Sequence, residues 1–391
     1  MARALAHIEK IHNITPIEGA DFIELVHVLG WQCVAVKGEF QEGDWAVYIE
    51  IDSKVPETEV FEFLRNKQFK IKTQKFRGAL SQGIALPLSK FPQIKNVHVG
   101  MDVTQTLGIT KIITAEERRL MAEEGASERA AIARAKHHHP KFMNSKFGKW
   151  CMKHEWLKHI VLRMLGAPVT KPQGFPGWIK KTDEERIQNF PEALAYPSPV
   201  VVTEKLDGTS TTFAIQRKGR KWEHIVCSRN VRQQTPDQYN WHTGDNGVNV
   251  YWEMADKYKV FETLERIAEG LSKHDKKIET IVLQGETIGS GLQGNPYKLD
   301  HHEFYGFNFV VNGTRMPTQE SAEMLGHWDI NWVPILGVIE LPETVDEMLA
   351  MADGTSVING VMREGLVVRS LDGKLSFKAV SNKFLLKKKN D

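Results

Sequence analysis

Residues 22–51 read FIELVHVLGWQCVAVKGEFQEGDWAVYIEI, a β-branched and aromatic run that alternates with polar residues and breaks at Gly30, Gly38 and Gly43. Alternation of period two buries one face of each strand, and the glycines mark the turns between them. The stretch is therefore expected to form a small β-barrel or meander. The text that follows, RNKQFKIKTQKFRGALSQGIALP, sets Lys67, Lys70, Lys72, Lys75 and Arg77 among Phe69 and Phe76 before returning to strand character. Basic side chains interleaved with aromatics suit a groove that tracks a phosphate backbone, and these five are candidate nucleic-acid contacts. A strand with one solvated basic face reads the same way.

The pattern changes after residue 112. Residues 114–165 are helical in composition and open with a capping-box pattern, Thr114-Ala-Glu-Glu. His137, His138 and His139 are consecutive and precede Pro140, so their rings point in different directions; a solvated helix end explains them better than a metal site. Pro168, Pro172, Gly174, Pro176 and Gly177 then mark a connection. Beyond it, strand-like segments dominate, with amphipathic helices expected near residues 250–271 and 345–352. The chain reads as α+β: an OB-like β-barrel domain over residues 1–112, a helical connecting segment over 113–173, and a mainly antiparallel sheet domain over 174–391. Its length, 391 residues, also favours two cores over one.

Composition narrows the classes. Hydrophobic residues make up 41% and charged residues 26%, which excludes a disordered chain. No apolar run of about 18 residues occurs, and no leader-like h-region opens the chain, so no membrane partner and a cytoplasmic location are expected. Three scattered cysteines make neither a disulfide framework nor a metal motif. A formal charge of +2 does not announce a nucleic-acid partner; local clustering must.

The chemistry-bearing text begins at Glu204-Lys205-Leu206-Asp207-Gly208, which follows the apolar run of residues 199–202. A lysine at a strand edge can attack phosphorus once burial or a nearby cation lowers its pKa. Asp-Gly is also a common turn, and K-x-D-G recurs by chance in about one chain of this length in ten, so alone it decides nothing. Four further elements follow in order: Ser228-Arg229-Asn230; Gly285-Glu286 with Phe304-Tyr305-Gly306-Phe307; Glu364-Gly365-Leu366-Val367-Val368; and Phe377-Lys378-Ala379-Val380. Over residues 175–385 the sequence thus resembles the covalent nucleotidyltransferases, the ATP-dependent ligases and mRNA capping enzymes, whose catalytic domain is an ATP-grasp-like antiparallel sheet.

The resemblance implies roles for these residues. Lys205 carries AMP covalently and Lys378 neutralises the α-phosphate. Glu286 and Glu364, with Asp207, hold Mg²⁺ or Mn²⁺. Glu204 accepts from the adenine amino group, Phe307 stacks on the base, and Gly208 and Arg229 help cradle the nucleotide. Two positions depart from the pattern: Asn308 stands where many relatives have aspartate, and Val380 stands where the last element often has a second lysine, for which Lys383 is the candidate substitute. The extra module precedes the catalytic domain rather than following it. That order is similar to the RNA ligase family typified by a Deinococcus enzyme, in which Arg186 and Gln188 would contact phosphates or substrate. It implies ATP as cofactor and, as partner of a monomer, a nicked RNA or RNA–DNA duplex with RNA at the 3′-OH end. A nucleotide-binding protein that no longer reacts, a guanylyltransferase and a DNA ligase are the alternatives. Gly289-Ser290-Gly291-Leu292-Gln293-Gly294 matches a dinucleotide fingerprint, but Asn295-Pro296 follows and no βαβ unit surrounds it, so a hairpin loop is expected.

Overall fold

The computed structural model describes residues 4–113, 115–167, 169, 174–233, 249–273 and 277–387. In the N-terminal part the alternation of residues 22–51 becomes paired strands. Ile23–Val28 runs antiparallel to Trp31–Val36 with Val28 opposite Trp31, and Leu29 turns the corner at φ 52°. Asn13–Pro16 pairs on the other side of Ile23–Val28. A second sheet centres on Trp45–Ile49, flanked by Ala6–Lys10 and Ile84–Pro87. Val26, Val28, Trp31, Cys33 and Tyr48 fill one core, and Ile8, Val47, Phe61, Leu64, Phe69 and Val103 fill a second.

Phe69 is a correction to the sequence reading, because it is 3% exposed and packs in that second core, where Arg65 covers its ring at 5.5 Å. Only Phe76 stays at the surface beside the basic residues. Lys67 ends the 3-10 helix Glu59–Lys67, Lys70 lies on Lys70–Ile71, Lys75 lies on Gln74–Phe76, and Lys72 and Arg77 stand in the turns, Arg77 at φ 45°.

Four helices follow: Ala115–His138, Pro140–Asn144, Lys146–Lys153 and Glu155–Met164. They share a small core of Ala131, Ala135, Met143, Leu162 and Ala167. Thr114 and the prolines 168 and 172 lie outside the described residues, so the expected capping box is not described. The histidine run ends the first helix, as expected, with His139 at the N-cap of the second. None of the helices among the described residues is long and apolar enough to cross a membrane.

From residue 174 the chain builds two antiparallel sheets. The smaller has the order Ile335–Ile339, Val200–Lys205, Gly365–Ser370, Ser376–Val380. The larger runs from Arg232–Gln233 through Lys221–Cys227, Thr209–Lys218, Thr280–Gly289 and His302–Val311 to Thr314–Arg315. One face of the larger sheet packs on Val250–Lys257 and Val260–Ser272, through Phe213, Ile215, Leu283, Phe304 and Leu264. These are two helices where periodicity suggested one, because Lys259 takes a left-handed φ of 46° between them. Ile187, Val200, Val202, Val368, Phe377 and Met348 form the core beneath the smaller sheet.

The two halves meet closely. Gly30 N donates to the Gln188 carbonyl at 3.1 Å, and Trp31 Nε1 donates to Asn189 Oδ1 at 2.6 Å. A Cβ on Gly30 would stand 2.7 Å from Gln188 Cα, so glycine is required there by contact.

Candidate active site

The cleft opens where the chain leaves one sheet for the other. Val200–Lys205 ends at Lys205, residues 206–208 cross over, and Thr209–Lys218 begins the larger sheet. The crossover is tight. A Cβ at Gly208 would stand 2.2 Å from the Thr287 carbonyl oxygen, so no larger residue fits. Gly208 N donates to Glu286 Oε1 at 3.1 Å and Asp207 N to the Tyr297 hydroxyl at 2.8 Å. The K-x-D-G text is thus a turn in which both backbone amides already have work.

Around it lies a cavity of about 390 Å³ lined by Glu204, Lys205, Gly208, Arg229, Glu286, Phe307 and Lys378, a volume suited to a nucleotide-sized ligand. Glu364 reaches in beside Lys205: its Oε2 accepts from Nζ at 2.7 Å. Gly365 lies opposite Lys205 in the register and Val367 opposite Lys378, while Ser210 pairs with Glu286. Antiparallel registry therefore brings together residues far apart in the chain, Lys205 and Gly365 being 160 positions apart.

Electrostatics follow from this crowding. Burial acts to lower the Lys205 pKa, but Glu364, Glu286 and Asp207 outweigh it and the net shift is upward. Burial pushes the Glu286 carboxyl up to about 8, aided by the charges of Glu364 and Asp207 and opposed by Lys205. Lys378 falls to about 8, first through burial and then through the neighbouring charges of Lys205, Arg186 and Arg229. Lys181, Lys205, Arg229, Arg369 and Lys378 all line the cleft, a set of cations that suits a polyphosphate.

The donor set also fits a divalent ion. Glu286, Glu364 and Asp207 offer hard oxygen ligands close to one another, and the burial that raises the Glu286 pKa, with the charges of Glu364 and Asp207 beside it, is a cost that a divalent cation would offset. Their oxygens do not gather as closely as those of Glu128, Glu155 and His159, the trio among the described residues whose ligand atoms lie within 4.8 Å. That second trio is satisfied by an ammonium, since Lys158 Nζ donates to Glu128 at 2.5 Å and to Glu155 at 2.7 Å.

Glu204 is 1% exposed; Val357 N donates to its Oε2 at 3.1 Å, and its Oε1 is buried without a hydrogen-bond partner among the described residues. Burial raises its pKa against the influence of Ser356 and Val357. Arg229 Nη2 pairs with Asp183 Oδ1 at 2.6 Å.

Three sequence-predicted residues sit elsewhere. Lys383 is the clearest correction: the strand ends at Val380, the helix Asn382–Lys387 begins, and Lys383 points out to Asp353 at 3.3 Å with its side chain 70% exposed. Gln188 is fully buried at the contact with Gly30, outside the cleft lining. Arg186 lies beside the cleft, its backbone bridged to Lys378 and its guanidinium 5.4 Å over Trp31. The basic residues of positions 67–77 do not line the cleft. Gly289-Ser290-Gly291 closes the hairpin between Thr280–Gly289 and His302–Val311, as expected, and only Gln293 of that loop reaches the cleft.

Asp183, Glu184 and Arg369 were not anticipated. Arg369 Nη2 donates to Glu184 Oε1 at 2.9 Å and its Nη1 donates to the Phe307 carbonyl; Ser376 Oγ donates to Glu184 Oε2 at 2.6 Å. This network holds the Phe307 strand against the Lys378 strand. An arginine inside the apolar text GLVVRS was the available signal. Asn308 is tied within the larger sheet instead, donating from Nδ2 to Gln284 Oε1 at 2.7 Å.

Comparison with known proteins covers both halves. Residues 5–88 match the model of an OB-fold domain, and residues 198–389 match the model of the RNA ligase family. A mutant of the Naegleria gruberi RNA ligase solved with AMP and Mn is 32% identical, covers 98% of this chain and 99% of that chain, and superposes with a TM-score of 0.70. The same ligase with PPi is 33% identical over 99% of each chain, with a TM-score of 0.69. A further mutant with ATP and Mn is 32% identical over 98% of each chain, at 0.69. No curated protein matches the chain. With one solved enzyme matched across the barrel, the helices and both sheets alike, the chain belongs to the RNA ligase family.

Proposed function

We propose that the protein is an ATP-dependent RNA ligase that seals 3′-OH/5′-phosphate nicks in duplexes with RNA at the 3′-OH end, through a lysyl-AMP intermediate on Lys205. The observation that carries this reading is Lys205 Nζ held at 2.7 Å by Glu364 within a cleft that also presents Glu286, Arg229 and Lys378.

In the first step Lys205 Nζ attacks the α-phosphorus of ATP. The N–P bond forms, the bond to the bridging oxygen of the β-phosphate breaks, and pyrophosphate leaves with that electron pair. Glu364 Oε2 orients Nζ and is placed to hold its proton. A Mg²⁺ or Mn²⁺ ion held by Glu286, Glu364 and Asp207 would offset the carboxylate charge that keeps the amine protonated. Lys378, which lines the cleft with its pKa near 8, would neutralise the charge that develops on the α-phosphate oxygens. Phe307 offers a stacking face to adenine, and the free lone pair of Glu204 Oε1 suits its amino group. In the second step a 5′-phosphate oxygen attacks the lysyl phosphorus, breaking the N–P bond. In the third the 3′-OH attacks that 5′-phosphate and AMP leaves.

Lys67, Lys70, Lys72, Lys75 and Arg77 are the surface we assign to the duplex backbone. A place in a reducing compartment such as the cytoplasm accords with three buried free thiols.

Incubation with α-labelled ATP and a divalent metal, then denaturing electrophoresis, tests the assignment. Wild type should retain label and pass it to RNA-ended nicks; Lys205→Ala should retain none yet still seal pre-adenylylated ends. Sealing of ordinary ends by that variant, or labelling by GTP instead, would refute it.

A further inference from the structure

The helical segment between the two β domains takes no part in the cleft. Its helix Lys146–Lys153 is fastened to the rest of the segment mainly on one side, with Phe147 also meeting Phe142 edge-on at 6.2 Å. Ser145 caps it by accepting from Gly148 N at 2.9 Å, and Gly148 packs so closely that a Cβ there would stand 2.1 Å from the Phe142 carbonyl oxygen. Cys151 buries on the same side.

The opposite side is open. Phe147 is 62% exposed and Trp150 is 50% exposed. Their rings lie nearly parallel, with centroids 5.9 Å apart and planes 19° apart, and Trp150 meets the exposed His154 edge-on at 4.7 Å. Positions 147, 150 and 154 are spaced by three and four, so they form one line along the helix and its C-cap. Lys146, Lys149 and Lys153 repeat the spacing one residue earlier, and their line is turned by about 100° from the first. All three lysines are exposed, and none pairs with a carboxylate among the described residues. Residues 137–154 contain no Asp or Glu.

Exposed aromatic rings in a row call for an occupant. A line of ring faces beside a line of ammonium groups complements a nucleic-acid strand, with bases along one edge and phosphates along the other. A protein partner would have to carry an apolar stripe and a parallel acidic one. We propose that this helix is a stacking platform for a single-stranded stretch of the RNA being joined. Bases rest on Phe147 and Trp150, and phosphates on Lys146, Lys149 and Lys153. The identity of the strand rests on the RNA-sealing reading above.

The test is anisotropy of a fluorescent single-stranded oligouridylate titrated with the full chain over a salt series, alongside lysyl-AMP formation from labelled ATP. Phe147→Ala with Trp150→Ala should weaken binding at least about tenfold, the loss of one stacked base or more. Trp150→Phe, which keeps a ring, should stay within about threefold of wild type by the same stacking argument. Changing the three lysines to alanine should reduce the slope of log K against log salt by about 2, from three phosphates at roughly 0.7 each. Lysyl-AMP formation should stay unchanged in every variant. RNA affinity unaltered by the aromatic pair, or an effect of that pair on sedimentation of the protein instead of on RNA binding, overturns the platform. If wild type takes no label from ATP while these variants still lose RNA affinity, the ligase reading falls and the platform stands.

Discussion

At the scale of single residues the cleft separates two lysines that the sequence could not. Lys378 and Lys383 lie five positions apart near the end of the chain, and either could have served as a phosphate cation. Only Lys378 faces the cleft; Lys383 leaves with the terminal helix and pairs with Asp353. Lys378→Ala should therefore lower the rate of lysyl-AMP formation about a hundredfold or more, the loss typical of a preorganised charge at a reacting centre. Lys383→Ala should stay within about twofold, as for any exposed ion pair. Single-turnover labelling with ATP compares them, and equal losses would return Lys383 to the cleft. Ordered motif text was enough to point to Lys205, Glu286, Glu364, Phe307 and Lys378, which the fold gathers at one cleft. It could not find Asp183, Glu184 or Arg369, because their place depends on how one strand lies against another and not on local text. The outward turn at Ser381 was invisible for the same reason.

Elements show a second use of buried charge, far from the cleft. The strand Ala6–Lys10 places His7 and Glu9 on one face by its period of two, and the neighbouring strand brings Glu50 alongside. His7 Nδ1 lies 2.9 Å from Glu9 Oε1 and Nε2 lies 3.5 Å from Glu50 Oε1, all three residues being under 9% exposed. Burial alone would lower the His7 pKa; the hydrogen bonds to Glu50 and Glu9 reverse this and raise it from 6.5 to about 9. A histidine whose folded pKa lies above its unfolded value contributes stability in full below pH 6.5, and that contribution is lost as pH rises through 9. The shift corresponds to roughly 3 kcal/mol between the two limits. Denaturant unfolding at pH 6 and pH 10 should show this loss in wild type, and His7→Gln should remove most of the difference. An unchanged pH dependence in that variant would mean that the triad does not set it. Strand alternation and turn glycines made the barrel readable in advance, since period and turn chemistry are local. The break at Lys259 and the burial of Phe69 were not, because tertiary packing decided them against the local pattern.

The whole molecule is organised by the contact between its two halves. Trp31 of the barrel donates to Asn189 and lies under Arg186, whose backbone bridges to Lys378, so the barrel reaches the cleft through three successive contacts. Gly30→Leu would drive a side chain into Gln188, where a Cβ alone already stands 2.7 Å from Cα. Overpacking of this kind costs about 1–3 kcal/mol. The variant should slow lysyl-AMP formation and separate the thermal unfolding of the two halves in calorimetry; wild-type behaviour in both would show that the contact carries nothing to the cleft. The same contact bears on how such a protein can be inherited. A gene recombined between relatives at the connecting segment would join a barrel and a ligase domain that had never met, and the two would pack as they do here only if position 30 lacked a side chain or position 188 had retreated. The joint therefore makes the two domains one heritable unit, however separable they look as folds.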